Sequence, residues 1–314
     1  MNNDQATLDL NLNANAKLSG EYKLVIKHAD GSETDTGWFP NLILNSGLDL
    51  IGHGTASSYG VVGTGTSTPI AAQTQLDAKI GSYGNFVYIG TSVSTGSPAY
   101  IRTLTDAYQW AQGGIVGTIS EIGIGPNTTG LGLFSRALIL DSLGSPTTIS
   151  LISTDQLTAY YALTITPPVT DTTGSFVVAG VTYTYTMRLA TAANFASYPY
   201  LVINGSLPSL GQATAYGSDA VLGAITGQPT ATSAASIIGS GGSQTPATYV
   251  NGTYYLDTTL NMPVAVANVT GGIKAFLLYY GAGSSVLFQL ALNAPIPKNV
   301  TNSLSLNLRF SWSA

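Results

Sequence analysis

"VTYTYTMRL" (Val181–Leu189) is the stretch of sequence that decides the fold class. Apolar and polar residues alternate along it, so that one face carries Val181, Tyr183, Tyr185 and Met187. A period of two is typical of a β-strand, because successive side chains of a strand point to opposite sides. Valine, threonine and tyrosine also favour strands. The stretch therefore predicts a half-buried strand of an antiparallel sheet.

The same alternation recurs from one end of the chain to the other. It is found in "TLDLNLNAN" (Thr7–Asn15), "YKLVIKH" (Tyr22–His28) and "LSLNLRFSW" (Leu304–Trp312). Turn signals lie between the strands: "ADGS" (Ala29–Ser32), "LGSP" (Leu143–Pro146) and "VNGT" (Val250–Thr253). Short helices are predicted within "NLILNSGLDLIG" (Asn41–Gly52), with Gly52 as its stop, and more weakly within "TQLDAKI" (Thr74–Ile80). The pattern predicts an all-β protein, an antiparallel, jelly-roll-like β-sandwich with a large low-complexity insertion of strands and loops.

Composition along the chain suggests four segments. Residues 1–19 are expected to form an N-terminal arm and residues 20–170 the core of the β-sandwich. Residues 171–250 are poor in charge and rich in small residues, and they are expected to form an inserted or second β-unit. Residues 251–314 are expected to supply the closing strands of the sandwich.

The N-terminal arm has its own pattern, in which Leu8, Leu10 and Leu12 alternate with polar residues. A strand of this length is not stable alone, because it needs a sheet edge for its backbone groups and a surface for its leucines. The segment at residues 14–20 is predicted to be a flexible hinge before the next strand at Glu21. The three leucines are therefore predicted to form an assembly arm, which pairs either with its own sheet or with that of a neighbouring subunit.

Composition and charge exclude several classes of function. Hydrophobic residues make up 44% of the chain, but charged residues only 8%, and the formal net charge is −5. Scattered basic residues and a negative net charge argue against nucleic acid as a partner. The chain contains no cysteine and two histidines, which argues against a metal site. So few charges predict a surface that is largely covered by other subunits, and no cofactor is predicted.

Targeting and membrane segments are also not predicted. The first sixteen residues, "MNNDQATLDLNLNANA", lack the basic region and the apolar region of a signal peptide. The most apolar stretch late in the chain begins at Gly271, and glycines and Lys274 interrupt it too often for a membrane helix. No membrane partner is therefore expected.

"VVGTGTSTP" (Val61–Pro69) is the best candidate for a phosphate-binding loop. A dinucleotide fingerprint requires a third glycine, where this chain has Thr68, and a Walker loop requires a lysine that this stretch lacks. Gly63 and Gly65 are therefore interpreted as a structural turn after a buried strand. Glycine there permits positive φ and close approach of other groups.

Residues for other chemistry are sparse. A serine nucleophile needs a histidine base, and His28 and His53 have only Asp30 and Asp49 as acidic neighbours in sequence. Paired carboxylates for glycoside hydrolysis remain an alternative, since spatial pairing cannot be read from sequence. No catalytic residue, cofactor-binding residue or metal ligand is predicted, and the chain is predicted not to be an enzyme.

Arg136 lies in "LFSRALI", an apolar strand, and a buried arginine is rarely left without a counter-ion. Glu121 in the preceding strand, "ISEIGIG", is the candidate partner, so a structural ion pair is predicted. The alternative is that Arg136 faces solvent.

The order of several motifs resembles that of structural proteins of the tailed-bacteriophage virion. "GWFPNLILNSGLDLIG" (Gly37–Gly52) precedes "VVGTGTSTP", and "ISEIGIG", "LFSRALI" and "DQLTAYYALTI" (Asp155–Ile165) follow. The ending "PIPKNVTNSLSLNLRFSW" (Pro295–Trp312) is similar to the closing strands of such proteins. The resemblance covers residues 20–165 and the last twenty residues.

This resemblance implies a multicopy tail, neck or collar protein that acts by subunit assembly. Its partners would be copies of itself and other virion proteins, such as tail, neck or portal components. Its location would be the virion, assembled in the cytoplasm of the bacterial host. Three alternatives remain: a fibre protein that binds a receptor or glycan, a capsid decoration protein, and a polysaccharide-cleaving enzyme. A glycan-binding protein needs exposed aromatic residues, for which the tyrosines at residues 251–257 and 197–205 are candidates.

Overall fold

The computed structural model describes residues 6–95, 101–178, 180–190, 210–280 and 286–314. Within these residues it contains twenty-one β-strands and one α-helix of nine residues. The all-β antiparallel sandwich class that the alternation predicts is confirmed.

The strands and the helix follow one another along the chain in this order. The strands are β1 (Ala6–Lys27), β2 (Glu33–Asp35), β3 (Phe39–Pro40), β4 (Leu42–Ile43), β5 (Tyr59–Gly63), β6 (Lys79–Thr95), β7 (Ile101–Gln109), β8 (Gly117–Ile119), β9 (Glu121–Gly125), β10 (Ser135–Leu138), β11 (Ile149–Leu151), β12 (Gln156–Thr166), β13 (Thr172–Val178), β14 (Val181–Ala190), β15 (Leu210–Tyr216), β16 (Ala234–Ser236), β17 (Ser243–Pro246), β18 (Tyr255–Met262), β19 (Ile273–Tyr280), β20 (Val286–Ile296) and β21 (Leu304–Ser313). Helix α1 (Asn45–His53) lies between β4 and β5.

Thirteen of these strands form the larger sheet. Their order is β17-β18-β21-β1-β12-β7-β6-β5-β9-β10-β4, with β2 and β3 also paired to β1. Six strands form the second sheet, in the order β13-β14-β20-β19-β15-β16, and β8 and β11 form a small two-stranded sheet. Every pairing between these strands is antiparallel except that of β1 with β21, which is parallel.

The alternation seen in the sequence builds the core between the sheets. Every second side chain of β21 is buried: Leu304, Leu306, Leu308, Phe310 and Trp312. Tyr280 of β19 stacks on Phe310 with the ring centroids 5.1 Å apart, so the two sheets share one hydrophobic core. On β14 the predicted buried face is present from Tyr183 onward, but Val181 is 53% exposed. Val181 directly follows the hairpin glycine Gly180, whose φ is +79°, and it lies beyond the edge of the core.

The four predicted segments do not coincide with the sheets. Residues 171–250 contribute β13 to β16 to the second sheet but β17 to the larger one. Residues 251–314 are divided in the same way, because β18 and β21 lie in the larger sheet and β19 and β20 at the centre of the second. Alternation identifies a strand and its buried face, but it does not specify which sheet the strand joins.

Strand β1 is continuous, and the predicted hinge at residues 14–20 is wrong. Residues 6–17 pair with β21, with a register shift between Leu10 and Ala14. From Lys17 to Lys27 the strand pairs with β12 on its other side. The backbone therefore exchanges one neighbour for another at Lys17, and hydrogen bonding continues through the segment that sequence alone would make a hinge.

Helix α1 lies within the first predicted helical segment but does not stop at Gly52. It ends at His53, and Gly54 caps it in the left-handed conformation with φ +60°. Gly52 lies inside the helix, where glycine is required for space: the ring of Tyr249 packs against it, and a Cβ there would lie 2.4 Å from that ring. The second predicted helix, at residues 74–80, is not formed: β6 begins at Lys79, and the preceding residues are loop.

Candidate functional site

The glycine run of residues 61–69 ends strand β5 and then folds around a buried carboxylate. Oε1 of Glu121 accepts hydrogen bonds from the backbone N–H groups of Gly65 and Ala78, both at 2.9 Å. Oε2 accepts a third from the N–H of Asp77 at 3.2 Å. The Glu121 side chain is fully buried. Backbone N–H groups therefore surround an internal anion here, as they surround a phosphate in a phosphate-binding loop.

Gly63 and Gly65 are needed for space. A Cβ on Gly63 would lie 2.5 Å from Oε1 of Glu121 and 2.5 Å from the carbonyl oxygen of Ala78. A Cβ on Gly65 would lie 2.4 Å from the same carboxylate oxygen. Neither glycine has a positive φ. Of the two predicted reasons for glycine, close approach is correct and positive φ is wrong.

Arg136 on β10 supplies the counter-charge. Its Nη2 lies 2.8 Å from Oε2 of Glu121, and its Nε donates to the same oxygen at 2.9 Å. Both side chains are fully buried, so the predicted ion pair is present and the alternative of a solvent-facing arginine is wrong. In the β9–β10 register Arg136 lies opposite Gly123, and Glu121 lies opposite Leu138. The pair is therefore a diagonal contact across two antiparallel strands.

Asp77 is a third charged partner, which the sequence did not reveal. Nη2 of Arg136 donates to Oδ2 of Asp77 at 2.7 Å, and Nη1 donates to Oε1 of Gln73 at 2.6 Å. The Ser67 hydroxyl and the Ser67 N–H both donate to the Asp77 carboxylate. These two bonds, the hydroxyl bond first, and then the Arg136 charge lower the pKa of that carboxyl. Asp77 lay in a segment predicted to be helical, so its spacing from Arg136 carried no signal.

These five residues, Glu121, Arg136, Asp77, Ser67 and Gln73, are called the Glu121 cluster. Its charged members sum to a formal charge of −1, since two carboxylates surround one guanidinium. The backbone N–H groups that a phosphate would require are occupied by the Glu121 carboxylate. A buried ion pair with its hydrogen bonds satisfied is a structural arrangement. The cluster holds the loop of residues 63–78 onto β9 and β10.

A cleft of about 370 Å³ lies beside the Glu121 cluster, along β10. Most of its lining is apolar and includes Leu42, Pro69, Leu138, Leu140 and Pro146. Arg136 contributes to the wall, but its polar atoms are directed into the Glu121 cluster. The cleft therefore presents a largely apolar surface.

A hydroxyl, an imidazole and a carboxylate align at the hairpin between β1 and β2. Nδ1 of His28 lies 3.0 Å from Oδ1 of Asp155, and Nε2 lies 3.1 Å from Oγ1 of Thr34. The order of the groups is that of a hydrolase triad. The acidic partner of His28 is Asp155 and not Asp30, the nearest acidic residue in sequence. Asp155 lies too far along the chain to be predicted as a partner from sequence spacing. Oδ2 of Asp155 also accepts the N–H of Ile152 at 2.9 Å, so the contacts tie the hairpin to the turn before β12.

Another polar cluster lies at the C-terminal end of α1. Oδ1 of Asp49 accepts hydrogen bonds from the Tyr249 hydroxyl and from the N–H of Gly252, both at 2.7 Å. One helical turn later, Nε2 of His53 lies 2.6 Å from Oδ1 of Asn251. Burial, together with the bond to Asp49, raises the pKa of Tyr249. Asp49 and His53 therefore face the same turn, but they do not contact each other as a dyad would.

The exposed Trp38 and the half-buried Tyr160 lie on either side of Lys23 on the outer face of the larger sheet. Lys23 of β1 lies opposite Tyr160 of β12, with its Nζ 5.0 Å from that ring centroid and 5.6 Å from the centroid of Trp38. Trp38 is 45% exposed. These three residues are called the Trp38 row.

The tyrosines that the sequence suggested for glycan binding are placed differently. Tyr255 lies under the guanidinium of Arg309, 3.5 Å from its ring centroid, and Arg309 forms a bidentate pair with Asp257. Tyr254 is partly buried against the core. The tyrosines at residues 197–205 lie outside the described residues.

The three leucines of the predicted assembly arm lie on β1. Leu8 and Leu10 pair through their backbone with Leu306 and Leu308 of the same chain. Leu12 lies in the register shift that follows Leu10. The contacts of these side chains lie outside what the structure describes, so the pairing assigns the backbone of the arm to its own sheet.

The described ranges contain neither a metal-ligand group nor a membrane-spanning helix. No group of three or more histidine, aspartate or glutamate side chains there is placed to hold a metal ion. No helix in those ranges is long and apolar enough to cross a membrane. Comparison with known proteins adds no identification: no family model, curated protein or solved structure matches the chain.

Proposed function

We propose that this chain is a structural subunit of a bacteriophage virion, present in many copies in the tail, neck or collar. It acts by assembly with copies of itself and with other virion proteins. The order of sequence motifs supports the virion as the location, and the low charge supports a surface that is covered by neighbours.

The observation that carries the proposal is how the chain uses its charged groups. Arg136, Arg188 and Arg309 each form an ion pair within the chain, and each pair ties one part of the fold to another. The glycine loop, which would be the anion site of a nucleotide-binding enzyme, encloses its own Glu121. These charged side chains therefore stabilise the fold. Loop residues such as Leu143 and Val300, in contrast, expose apolar side chains, with exposed fractions of 88% and 70%.

Assembly is tested by measuring the mass of the purified protein in solution across a wide concentration range by light scattering. We expect oligomers or larger assemblies that electron microscopy resolves as regular objects. A stable monomer at every concentration, absent from purified phage particles by mass spectrometry, would contradict the proposal.

A second candidate function, glycan binding, is favoured by the Trp38 row. Carbohydrate rings stack on exposed aromatic faces, and Lys23 beside them would favour an acidic sugar. Trp38→Ala should abolish binding of host polysaccharide to the purified protein in calorimetry. Leu143→Ala, which removes an exposed apolar side chain elsewhere, is the matched control and should leave binding unchanged. Equal binding by both variants would exclude the Trp38 row.

A further inference from the structure

The connection between β17 and β18 contains an Asn-Gly pair, Asn251–Gly252, within a hydrogen-bonded β-turn. Thr253 donates its N–H to the carbonyl oxygen of Val250 at 3.2 Å, so Asn251 and Gly252 are the two central residues of a β-turn. Gly252 has φ +80°, and both central residues are exposed to solvent. Glycine offers the least hindered backbone nitrogen, because it has no Cβ.

Two side chains of α1 contact the atoms of this turn that could react. Oδ1 of Asp49 accepts the N–H of Gly252 at 2.7 Å, which places a carboxylate within reach of the proton that the nitrogen must lose. Nε2 of His53 lies 2.6 Å from Oδ1 of Asn251, the oxygen on which negative charge would develop. A base on the nucleophile and a donor on the oxyanion are the two groups that an acyl-transfer site requires.

We propose that Asn251 is a site of self-modification, at which the folded protein converts this asparagine to aspartate or isoaspartate through a succinimide. The Gly252 nitrogen attacks Cγ of Asn251, and the new N–Cγ bond replaces the Cγ–Nδ2 bond. Asp49 takes the proton of the Gly252 nitrogen, and the same proton, passed on directly or through water, goes to the leaving Nδ2. The carbonyl at Oδ1 re-forms as the Cγ–Nδ2 bond breaks, and ammonia departs.

His53, in the tautomer with its proton on Nε2, stabilises the oxyanion at Oδ1 during this step. Water then adds to one of the two ring carbonyls and opens the succinimide. The net change is one water consumed and one ammonia released, with no oxidation or reduction. Aspartate results when one ring bond opens, and isoaspartate when the other does.

The product differs from the starting turn in charge. A carboxylate at residue 251 adjoins Asp49, which is itself hydrogen-bonded to Tyr249 and Gly252. Like charges this close repel each other. Conversion therefore weakens the attachment of the turn to α1 and changes the formal net charge of the chain from −5 to −6.

The reaction is measured by peptide mass spectrometry of the full-length protein during incubation at neutral pH. The chain has one other Asn-Gly pair, Asn204–Gly205, which serves as a reference in the same sample after denaturation in urea. We expect Asn251 to convert at least about tenfold faster in the folded protein than in the denatured chain, because general base catalysis requires the folded contacts. A folded rate equal to or below the denatured rate would overturn the proposal.

Two variants separate the roles of the side chains. Asp49→Asn should slow conversion by about a hundredfold, and His53→Ala by about tenfold, in line with typical losses of acid–base groups. Asp219→Asn makes the same chemical change in a turn elsewhere and should leave the rate at Asn251 unaltered. If Asp49→Asn fails to fold, the exposed His53→Ala and the comparison of folded with denatured wild type decide the question. Unchanged conversion in the His53→Ala variant would exclude the oxyanion role.

Discussion

At the scale of the residue, the glycine loop binds the Glu121 carboxylate of its own chain. Two glycines, three backbone N–H groups and one guanidinium are arranged around this carboxylate. The sequence predicted the Glu121–Arg136 pair because a buried arginine needs a counter-ion. It could not predict that the glycines enclose the same carboxylate, since that contact depends on how β5 lies beside β9.

Arg136→Met should destabilise the protein by about 3–5 kcal/mol, because it leaves a buried carboxylate without a counter-ion. Urea denaturation followed by circular dichroism measures the free energy of unfolding. The double variant Glu121→Gln with Arg136→Met should cost less than the sum of the two single changes. Additive costs would show that the two side chains do not interact.

Gly65→Ala should also destabilise the protein, by roughly 1–3 kcal/mol, because its methyl group would collide with the carboxylate oxygen of Glu121. Thr66→Ala in the same loop changes an exposed side chain and should cost under about 0.5 kcal/mol. Equal melting temperatures for the two variants would contradict the argument from space.

The Asp77 carboxyl gives the Glu121 cluster a defined dependence on pH. Its pKa is lowered in the folded state by the Ser67 hydroxyl bond and the Arg136 charge, so its contribution to stability is complete above the ordinary carboxyl pKa of about 4. The contribution is lost as the pH falls through the folded pKa. The melting-temperature difference between wild type and Asp77→Asn should therefore be present at neutral pH and shrink in acid. A difference that grows toward acid would reverse the assigned sign.

At the scale of the element, the period-two alternation predicted the strands and their buried faces. The four segments suggested by composition, in contrast, do not coincide with the sheets. The faces of β14, β12 and β21 follow the period-two pattern because each strand has one side in the core. The hinge at residues 14–20 and the helix at residues 74–80 failed for the same reason. In both places tertiary partners, β21 and the Glu121 carboxylate, satisfy backbone groups that local sequence leaves open.

Deleting residues 1–13 removes the backbone partner of β21 over residues 304–308. We expect a loss of roughly 2–5 kcal/mol in stability, from several backbone hydrogen bonds at about 0.5–1.5 kcal/mol each, or a loss of assembly. Thermal denaturation and light scattering measure the two effects. If the truncated protein melts and assembles like the full chain, the prediction that residues 1–13 contribute to stability or assembly is wrong.

At the scale of the whole molecule, the two sheets and the helix share one core. Tyr280 stacks on Phe310 between the sheets, and Nε1 of Trp312 donates to the carbonyl oxygen of Leu48 in α1 at 2.9 Å. The alternation in the sequence predicted a buried face for β21, but the division of strands between two sheets depends on pairings far apart along the chain. The Asn251 site was hidden for the same reason, since α1 and the turn meet only in the folded protein.

A shared core predicts a single cooperative unfolding transition. Tryptophan fluorescence reports chiefly on the buried Trp312 of β21 and on the buried Trp110 directly after β7. Far-ultraviolet circular dichroism reports on all strands, and the two probes should give coincident urea curves. Phe310→Ala should shift both curves together, by about 3–5 kcal/mol. Two separate transitions would show that the second sheet unfolds on its own.

The parallel pairing of β1 with β21 has a consequence for how the protein is made on the ribosome. β1 leaves the ribosome well before β21, the strand that pairs with its residues 6–17. At about 5–20 residues per second, translation of the intervening residues takes roughly 15–60 s. During that interval the nascent chain carries an open strand edge at the middle of its larger sheet. Synthesis of this protein should therefore depend on a chaperone that shields the edge, and chains released before β21 should aggregate.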